Sequence, residues 1–290
     1  MTATLKAPRL AFKPSARRAG PAVWLVIGSM IAIMFASPLI AVLLGTFKTP
    51  EEAAAVPPAY LPENPSAGNY IRLWESSVGV GTAVANSVFV AVGVVLVTVS
   101  VALLAAYGFE RYPFVGSETI FLVMLAAIMV PFQVLVSPLF IVLNTLGLTN
   151  SRLGLVVVIA TFQLPFATFI LRNSYAAIPR EVFEAASVDG AGLWTTLRMS
   201  IPLVRAGLIT AALFSFFAAW NEFFGALILI SDQDKFTLPV VLATLVNRSR
   251  GAVDWGMLQT GVVITILPCL IVFIILQKYY VSGMVAGSGK

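Results

Sequence analysis

The sequence contains no histidine and only one cysteine among its 290 residues. Without histidine, the chain lacks the commonest general base, the commonest metal ligand and the usual switch near neutral pH. Cys269 has no second cysteine to pair with, so an internal disulfide and a cysteine-rich metal site are excluded. Catalysis by this chain alone is therefore not expected.

Charged residues are also scarce. They make up 11% of the chain, against 59% hydrophobic residues, and the mean hydropathy is +0.95. The apolar residues form runs of about 20, the length of a helix that crosses a bilayer, separated by short polar breaks. The net charge of +5 gives little support for nucleic-acid binding, because the basic residues follow the membrane segments instead of forming one patch. These features indicate a polytopic membrane protein.

Six apolar runs are long enough to cross a bilayer as helices. They lack the alternation of apolar and polar residues that a membrane barrel requires. The predicted fold class is therefore all-α, with six transmembrane helices. The predicted spans are Ala22 to Leu44, Val84 to Phe109, Thr119 to Leu143, Leu153 to Leu171, Gly207 to Ile230 and Met257 to Leu276.

The distribution of lysine and arginine predicts the orientation of these spans. If the N-terminal tail, residues 1–21, and the break between the fourth and fifth spans face the cytoplasm, that side receives 12 of the 18 basic residues and the other side 6. Six spans place the C-terminal tail, residues 277–290, in the cytoplasm as well. The external loops are Thr46 to Ala83 and Ser231 to Trp255, which we interpret mainly as solvated connections.

The stretch EAASVDGAGLWTTLRMSIP, Glu184 to Pro202, interrupts the apolar pattern. Proline at a helix start and acids in the opening turns predict a short helix from Pro179 to Asp189, which the glycines that follow end. A second short helix is expected from Leu193 to Met199. The residue pattern alone leaves two interpretations open: an amphipathic connector at the membrane surface, or a docking element for a soluble partner.

This stretch resembles the cytoplasmic EAA loop of permease subunits of bacterial ATP-binding-cassette (ABC) importers. The loop pattern is E-A-A, a glycine four residues later, and I-x-L-P at its end. Glu184, Ala185, Ala186 and Gly190 fall in place, with Asp189 as the acid that often precedes the glycine. Ser200 occupies the isoleucine position, and the proline arrives one residue early.

Further fragments resemble one branch of these proteins, the carbohydrate-uptake permeases of the maltose type, and in particular the six-span subunit. Their order and spacing carry the resemblance over most of the chain. They are NYIRLW (69–74), ANSVFVA (85–91), AAYGFERYPF (105–114), MVPFQVLVSPLFIVLNTLGLTNSRLGL (129–155), LPFATFILRNSYAAIPREVFEAA (164–186), WNEFFGALI (220–228), FTLPVVLATL (236–245) and QKYYVSGMVAGSGK (277–290).

The resemblance implies that residues 22–290 form a type-1 ABC transmembrane domain, in which residues 179–206 form the coupling loop. Glu184 would pair with a basic group of an ATPase, Ala185 and Ala186 would permit close approach, and Gly190 would make the bend. The chain itself would hold no cofactor, because ATP and Mg²⁺ would be bound by the partner ATPase. The implied partners are an ATPase dimer, a second permease subunit, an external sugar-binding protein whose cleft the Ser231 to Trp255 loop probes, and membrane lipid. The implied location is the bacterial inner membrane.

Glu222 is the sole acid well within a predicted span, where it follows Trp220 and Asn221. An ionisable group inside a membrane is a functional candidate, because its burial in lipid is costly. We expect either a role in the pathway, as a gate or a contact for sugar hydroxyls, or a structural hydrogen bond.

The resulting hypothesis is a permease subunit of an ATP-driven, binding-protein-dependent sugar importer that works by alternating access. The alternative is a gradient-driven secondary transporter that uses Glu222. A membrane-embedded enzyme ranks far below both, because the sequence has no cluster of acids, histidines or cysteines at catalytic spacing.

Overall fold

The computed structural model describes residues 21–57, 59–248 and 253–287, and those residues form helices and connecting turns without a strand. Residues 1–20 of the predicted N-terminal tail and residues 288–290 lie outside this range. The helices are α1 (Pro21–Gly45), α2 (Pro50–Ala54), α3 (Gly68–Glu75), α4 (Val80–Arg111), α5 (Ser117–Ala126), α6 (Phe132–Thr145), α7 (Arg152–Ala176), α8 (Arg180–Val188), α9 (Leu193–Ser200), α10 (Arg205–Trp220), α11 (Phe224–Leu229), α12 (Leu238–Arg248) and α13 (Trp255–Gly287).

Four of the described helices, α1, α4, α7 and α13, are each long and apolar enough to cross a membrane. Two bent pairs, α5 with α6 and α9 with α10, pass the same test together, and the count reaches six if each pair is one span. The prediction of an all-α membrane protein is confirmed. The segment expected as a C-terminal tail continues α13 as helix up to Gly287.

The third predicted span is not one helix. α5 and the 3-10 turn Ala127–Met129 meet α6 at an angle of 105°. Val130 between them is extended, with φ −79° and ψ 118°, and Pro131 follows. Proline lacks the N–H that a continuing helix needs, and it disfavours helical geometry at the residue before it. The predicted span Thr119 to Leu143 is therefore not one continuous helix, because the chain bends sharply at this proline.

The fifth predicted span, Gly207 to Ile230, is also divided. α10 ends at Trp220, residues 221–223 leave the helix, and α11 starts at Phe224. No proline marks this point in the sequence, and the single glycine nearby, Gly225, was not read as a break. The carboxylate of Glu222 accepts a hydrogen bond from the Gly225 N–H at 2.6 Å, so this side chain takes the place of a backbone carbonyl.

α4 lies at the centre of the helix assembly and packs most extensively against α7 and then α10. Gly93 lets α7 approach closely, since a Cβ at this position would lie 2.9 Å from a methyl carbon of Val156. Buried residues form one cluster around the first half of α4, up to Val94, and another around its second half, from Ala102. α4 therefore joins two separate packing regions.

Arg172, near the end of α7, ties three helices together. Its guanidinium pairs with Glu118 of α5, lies 3.5 Å from the carboxylate of Glu110 of α4, and stands 4.4 Å from the ring centroid of Phe121. A charge with two opposite partners and an aromatic face is well compensated. This arrangement fixes the first turn of α5 against α4 and α7.

The segment Ser231 to Trp255, which was predicted to be an external loop, contains regular structure. It contains α12, whose Leu238, Val240 and Val241 are buried against α4 and α13. Asn86 of α4 donates hydrogen bonds to two carbonyls of this segment, at 2.8 and 3.0 Å. Its tip is exposed, and there Lys235 donates to Asp232 at 2.7 Å and so lowers the pKa of that carboxyl group. The expectation of an ordinary connection is corrected for α12, because its apolar residues belong to the buried cluster around the first half of α4.

Candidate functional site

α8 and α9 form a helical hairpin, and a glycine turn sets its angle. After α8, the N–H of Ala191 donates to the carbonyl of Ala186 at 2.9 Å, and the N–H of Gly190 donates to that of Ser187 at 3.1 Å. These two bonds define a Schellman motif, which requires a left-handed residue after the helix. Gly190 supplies it with a φ of 78°. The observed helices span residues 180–188 and 193–200, against predicted bounds of 179–189 and 193–199, so no helix end differs by more than one residue.

One face of the hairpin is anchored in what we call the hairpin cluster. Phe183, with 1% of its surface exposed, is the main anchor, and the Arg111 guanidinium lies 3.8 Å from its ring centroid. The neighbours come from the adjoining ends of α4, α7 and α10. The cluster consists of Ala102, Ala106, Tyr107, Ala167, Leu171, Tyr175, Phe183, Leu197, Val204 and Ala211.

Ser200 stands where the EAA-loop pattern has an isoleucine, and its contacts show how the hairpin accommodates this serine. Its side chain is fully buried, its Oγ donates to the Leu197 carbonyl at 2.6 Å, and the same oxygen lies 3.1 Å from the Tyr175 hydroxyl. A buried hydroxyl is tolerated when it is hydrogen-bonded. The serine at the isoleucine position therefore replaces apolar packing with a polar link between α9 and α7. Pro202 stands in the turn after α9.

The opposite face of the hairpin is exposed and mixes acids with large apolar groups. Glu184, Ala185 and Asp189 are exposed, and so are Val188 at 87% and Trp194 at 72%. Among the described residues, Glu184 makes no ion pair or side-chain hydrogen bond. Ala186, by contrast, is buried and approaches the helices of its own chain. The five predicted coupling residues thus share one short helix and its turn, and four of them face outward.

We expect Gly190→Ala to destabilise the hairpin by about 1–2 kcal/mol, because an L-residue with a side chain is strained in the left-handed region. Gly192→Ala is the matched control: Gly192 has φ −73° and ψ 172°, and a Cβ there meets no atom within 4 Å. Thermal unfolding of the purified protein, followed through proteolysis of the hairpin, measures the difference. Equal sensitivity of the two variants would contradict the assigned role of Gly190.

The three predicted gate residues occupy different environments. Trp220 is buried, stacks on Phe216 at a centroid distance of 5.7 Å, and donates from Nε1 to the Thr265 carbonyl at 2.9 Å. Asn221 is exposed and donates to the Phe217 carbonyl at 2.9 Å. Trp220 therefore fastens α10 to α13, whereas the break that follows it exposes polar groups.

Glu222 lies at this break and borders a cavity of about 350 Å³. The cavity is also lined by two amides that the sequence reasoning missed, Gln133 of α6 and Gln163 of α7. Each is an isolated polar residue in an apolar run, two positions from a proline, and that pattern could have singled them out. The cavity brings the breaks of the third and fifth spans together.

Glu222→Gln should preserve the break, because an amide oxygen still accepts from the Gly225 N–H, whereas Glu222→Ala should cost about 1.5–3 kcal/mol through loss of that bond. Melting temperatures of the two purified variants test this expectation. If Glu222→Gln is destabilised as much as Glu222→Ala, the carboxylate charge, and not the hydrogen bond, maintains the break.

Comparison with known families identifies the class of protein. The profile of the family described as "binding-protein-dependent transport system inner membrane component" matches residues 98–285. The chain belongs to this family. It is a permease subunit of a binding-protein-dependent ABC importer, and the family assignment does not support the alternative of a gradient-driven secondary transporter.

Several relatives of this permease are carbohydrate permeases by name. The diacetylchitobiose uptake system permease protein NgcG of Streptomyces coelicolor is 32% identical over 265 residues, which cover 91% of this chain and 86% of NgcG. The trehalose/maltose transport system permease protein MalG of Thermococcus litoralis is 36% identical over 224 residues, covering 77% of this chain and 80% of MalG.

A solved structure shares the fold of this permease. It is a bacterial ABC transporter involved in the import of the acidic polysaccharide alginate, and one of its chains matches with a TM-score of 0.80. The match covers 93% of this chain and 99% of the other at 22% sequence identity. This chain therefore shares its overall fold with a chain of that transporter.

Proposed function

We propose that this permease carries a carbohydrate into the cell as one half of an ATP-driven, alternating-access pathway. Within that proposal, the α8–α9 hairpin receives the force of an ATPase dimer, and a second permease subunit completes the pathway. ATP and Mg²⁺ are held by the ATPase, and an external binding protein delivers the sugar. The carbohydrate class is favoured by the names of the relatives, which include diacetylchitobiose and trehalose/maltose permeases.

The observation that carries the proposal is the two-sided construction of the hairpin. One face is anchored by Phe183 in the hairpin cluster, which joins α4, α7 and α10. The other presents Glu184, which has no partner in the described part of the chain, among exposed apolar groups. A charged and apolar surface on a firmly seated short helix fits a protein partner better than a lipid surface. Movement of such a partner is transmitted directly to three helices.

The orientation belongs to the same proposal. The hairpin and both termini lie in the cytoplasm, and α12 with the tip at Asp232 faces the external binding protein. The location is the inner membrane of a bacterium, and residues 22–290 act as one transmembrane domain with its coupling loop at residues 179–206. This arrangement places the greater number of lysines and arginines inside.

Purification of the tagged chain from its native cell in mild detergent tests the proposal. We expect a second permease and a phosphate-loop ATPase to co-purify, and the complex to take up diacetylchitobiose, maltose or trehalose in proteoliposomes with its binding protein and ATP. Recovery of the chain without any ATPase would contradict the coupling role. Recovery of the complex with uptake of a noncarbohydrate substrate alone would contradict the sugar assignment.

A further inference from the structure

The cavity beside Glu222 is built where the membrane helices are interrupted. Its lining includes Phe132, directly after the Pro131 bend, and Phe224, directly after the break at residues 221–223. Interrupted helices at membrane depth expose backbone groups, and they are tolerated where they border a cavity. The two breaks therefore meet at one place that is suited to a polar solute.

The polar groups of this cavity are few and available. Gln133 and Gln163 make no hydrogen bond to any other described residue, and one oxygen of Glu222 is used by the Gly225 N–H. A glutamine amide offers both donors and acceptors, which a sugar hydroxyl can satisfy in either direction. Gln133 is exposed and Gln163 is half-buried, so both amides are free to meet a polar solute that enters the cavity, and polar side chains at membrane depth are candidates for such a role.

The remaining lining supplies flat apolar surfaces. Phe132 and Phe162 meet edge to face with ring centroids 5.0 Å apart, and Phe132 and Phe224 do so at 6.4 Å. Ligand pockets typically combine such aromatic walls with a small number of placed polar groups, in volumes of roughly 300–1,000 Å³. The cavity, at about 350 Å³, has the size and composition to hold one or two sugar rings.

We propose that Gln133 and Gln163 form a contact site for an uncharged saccharide during translocation, with Glu222 at its edge. No described lining residue carries a positive charge, and the Glu222 carboxylate disfavours an anionic sugar. The site rests on the proposed sugar-import function and adds its substrate class, neutral saccharides in place of uronates. Its role is to hold the sugar between release from the binding protein and exit to the cytoplasm.

Cysteine labelling tests the contact without depending on the binding protein. In a Cys269→Ser background, Gln163→Cys in the purified complex is reacted with a water-soluble maleimide in the presence of maltose, diacetylchitobiose or an acidic uronate disaccharide. We expect at least one neutral disaccharide to slow labelling severalfold and the uronate to leave it unchanged. Gln277→Cys, exposed at the far end of the α13 span, should label at the same rate in every case. Equal labelling of Gln163→Cys with all sugars would overturn the site, and equal protection by the uronate would overturn the neutral class.

Transport per ATP provides the second readout. The double variant Gln133→Leu with Gln163→Leu should lower sugar uptake per ATP hydrolysed about tenfold, because the cavity no longer binds the sugar. The liganded binding protein should still stimulate ATP hydrolysis, because it still docks and delivers the sugar. Gln277→Leu should leave the ratio unchanged. An unchanged ratio in the double variant would overturn the proposal. Failure of the unmodified complex to hydrolyse ATP or carry any saccharide would instead contradict the proposed function, so the two failures are distinguishable.

Discussion

Glu184→Lys should abolish transport while the protein still inserts and folds. The side chain is exposed on the outward face of α8, and it has no partner among the described residues, so its replacement disturbs no contact within the chain. At a docked interface, loss of one partner of a close charge pair costs about 2–5 kcal/mol, and a lysine adds repulsion. A cost of 2 kcal/mol already weakens docking roughly 30-fold. Uptake by proteoliposomes and the amount of ATPase that co-purifies measure the effect.

Glu63→Lys provides the control for this experiment. It makes the same change of charge at an exposed position of the loop that we place outside the cell, far from α8 in the chain. We expect its uptake and its recovered ATPase to match those of the unmodified protein. Normal uptake by Glu184→Lys, or equal loss in both variants, would count against docking at the hairpin.

Phe183→Ala should separate ATP hydrolysis from transport. The phenyl ring fills the hairpin cluster beneath Arg111, and truncation of a buried phenylalanine to alanine costs about 3–5 kcal/mol. The exposed face of α8 is unchanged, so the ATPase still binds, but the hairpin is no longer held firmly on α4 and α7. The expected result is continued hydrolysis of ATP with strongly reduced sugar uptake.

Phe183→Leu distinguishes packing from the aromatic contact with Arg111. Leucine keeps most of the apolar volume, and we expect it to restore most of the uptake lost in Phe183→Ala. Measurement of both activities on the same proteoliposomes gives the coupling ratio for each variant. If Phe183→Ala lowers hydrolysis and uptake in proportion, the ring supports folding or docking generally and does not transmit force.

The sequence allowed prediction of the features that depend on composition and local chemistry. The long apolar runs predicted α1, α4, α7 and α13, because lipid demands helices of that length. The acids, glycines and apolar spacing around Glu184 predicted the α8–α9 hairpin to within a residue at each end. These signals are local, so the chain does not need to be folded for them to be recognised.

Features that depend on particular side-chain hydrogen bonds or on contacts between distant segments were missed. The break after Trp220 comes from a side chain that replaces a backbone acceptor, which hydropathy does not reveal. The Pro131 bend was visible as a proline, yet its angle of 105° depends on the packing of α5 against α7. α12 was taken as part of a loop, because its apolar residues are buried only against distant parts of the chain, α4 and α13.

The continuity of α4 has a mechanical consequence. α1, α6, α7 and α13 each contain an internal proline, whereas α4 runs for 32 residues without one. At 1.5 Å per residue, α4 is a continuous helix about 48 Å long. Asn86 near one end holds the segment around α12, and Arg111 at the other end lies over Phe183. If α4 tilts about its middle as one rigid body, its two ends move in opposite directions, so a displacement at the hairpin reaches the α12 end with its direction reversed.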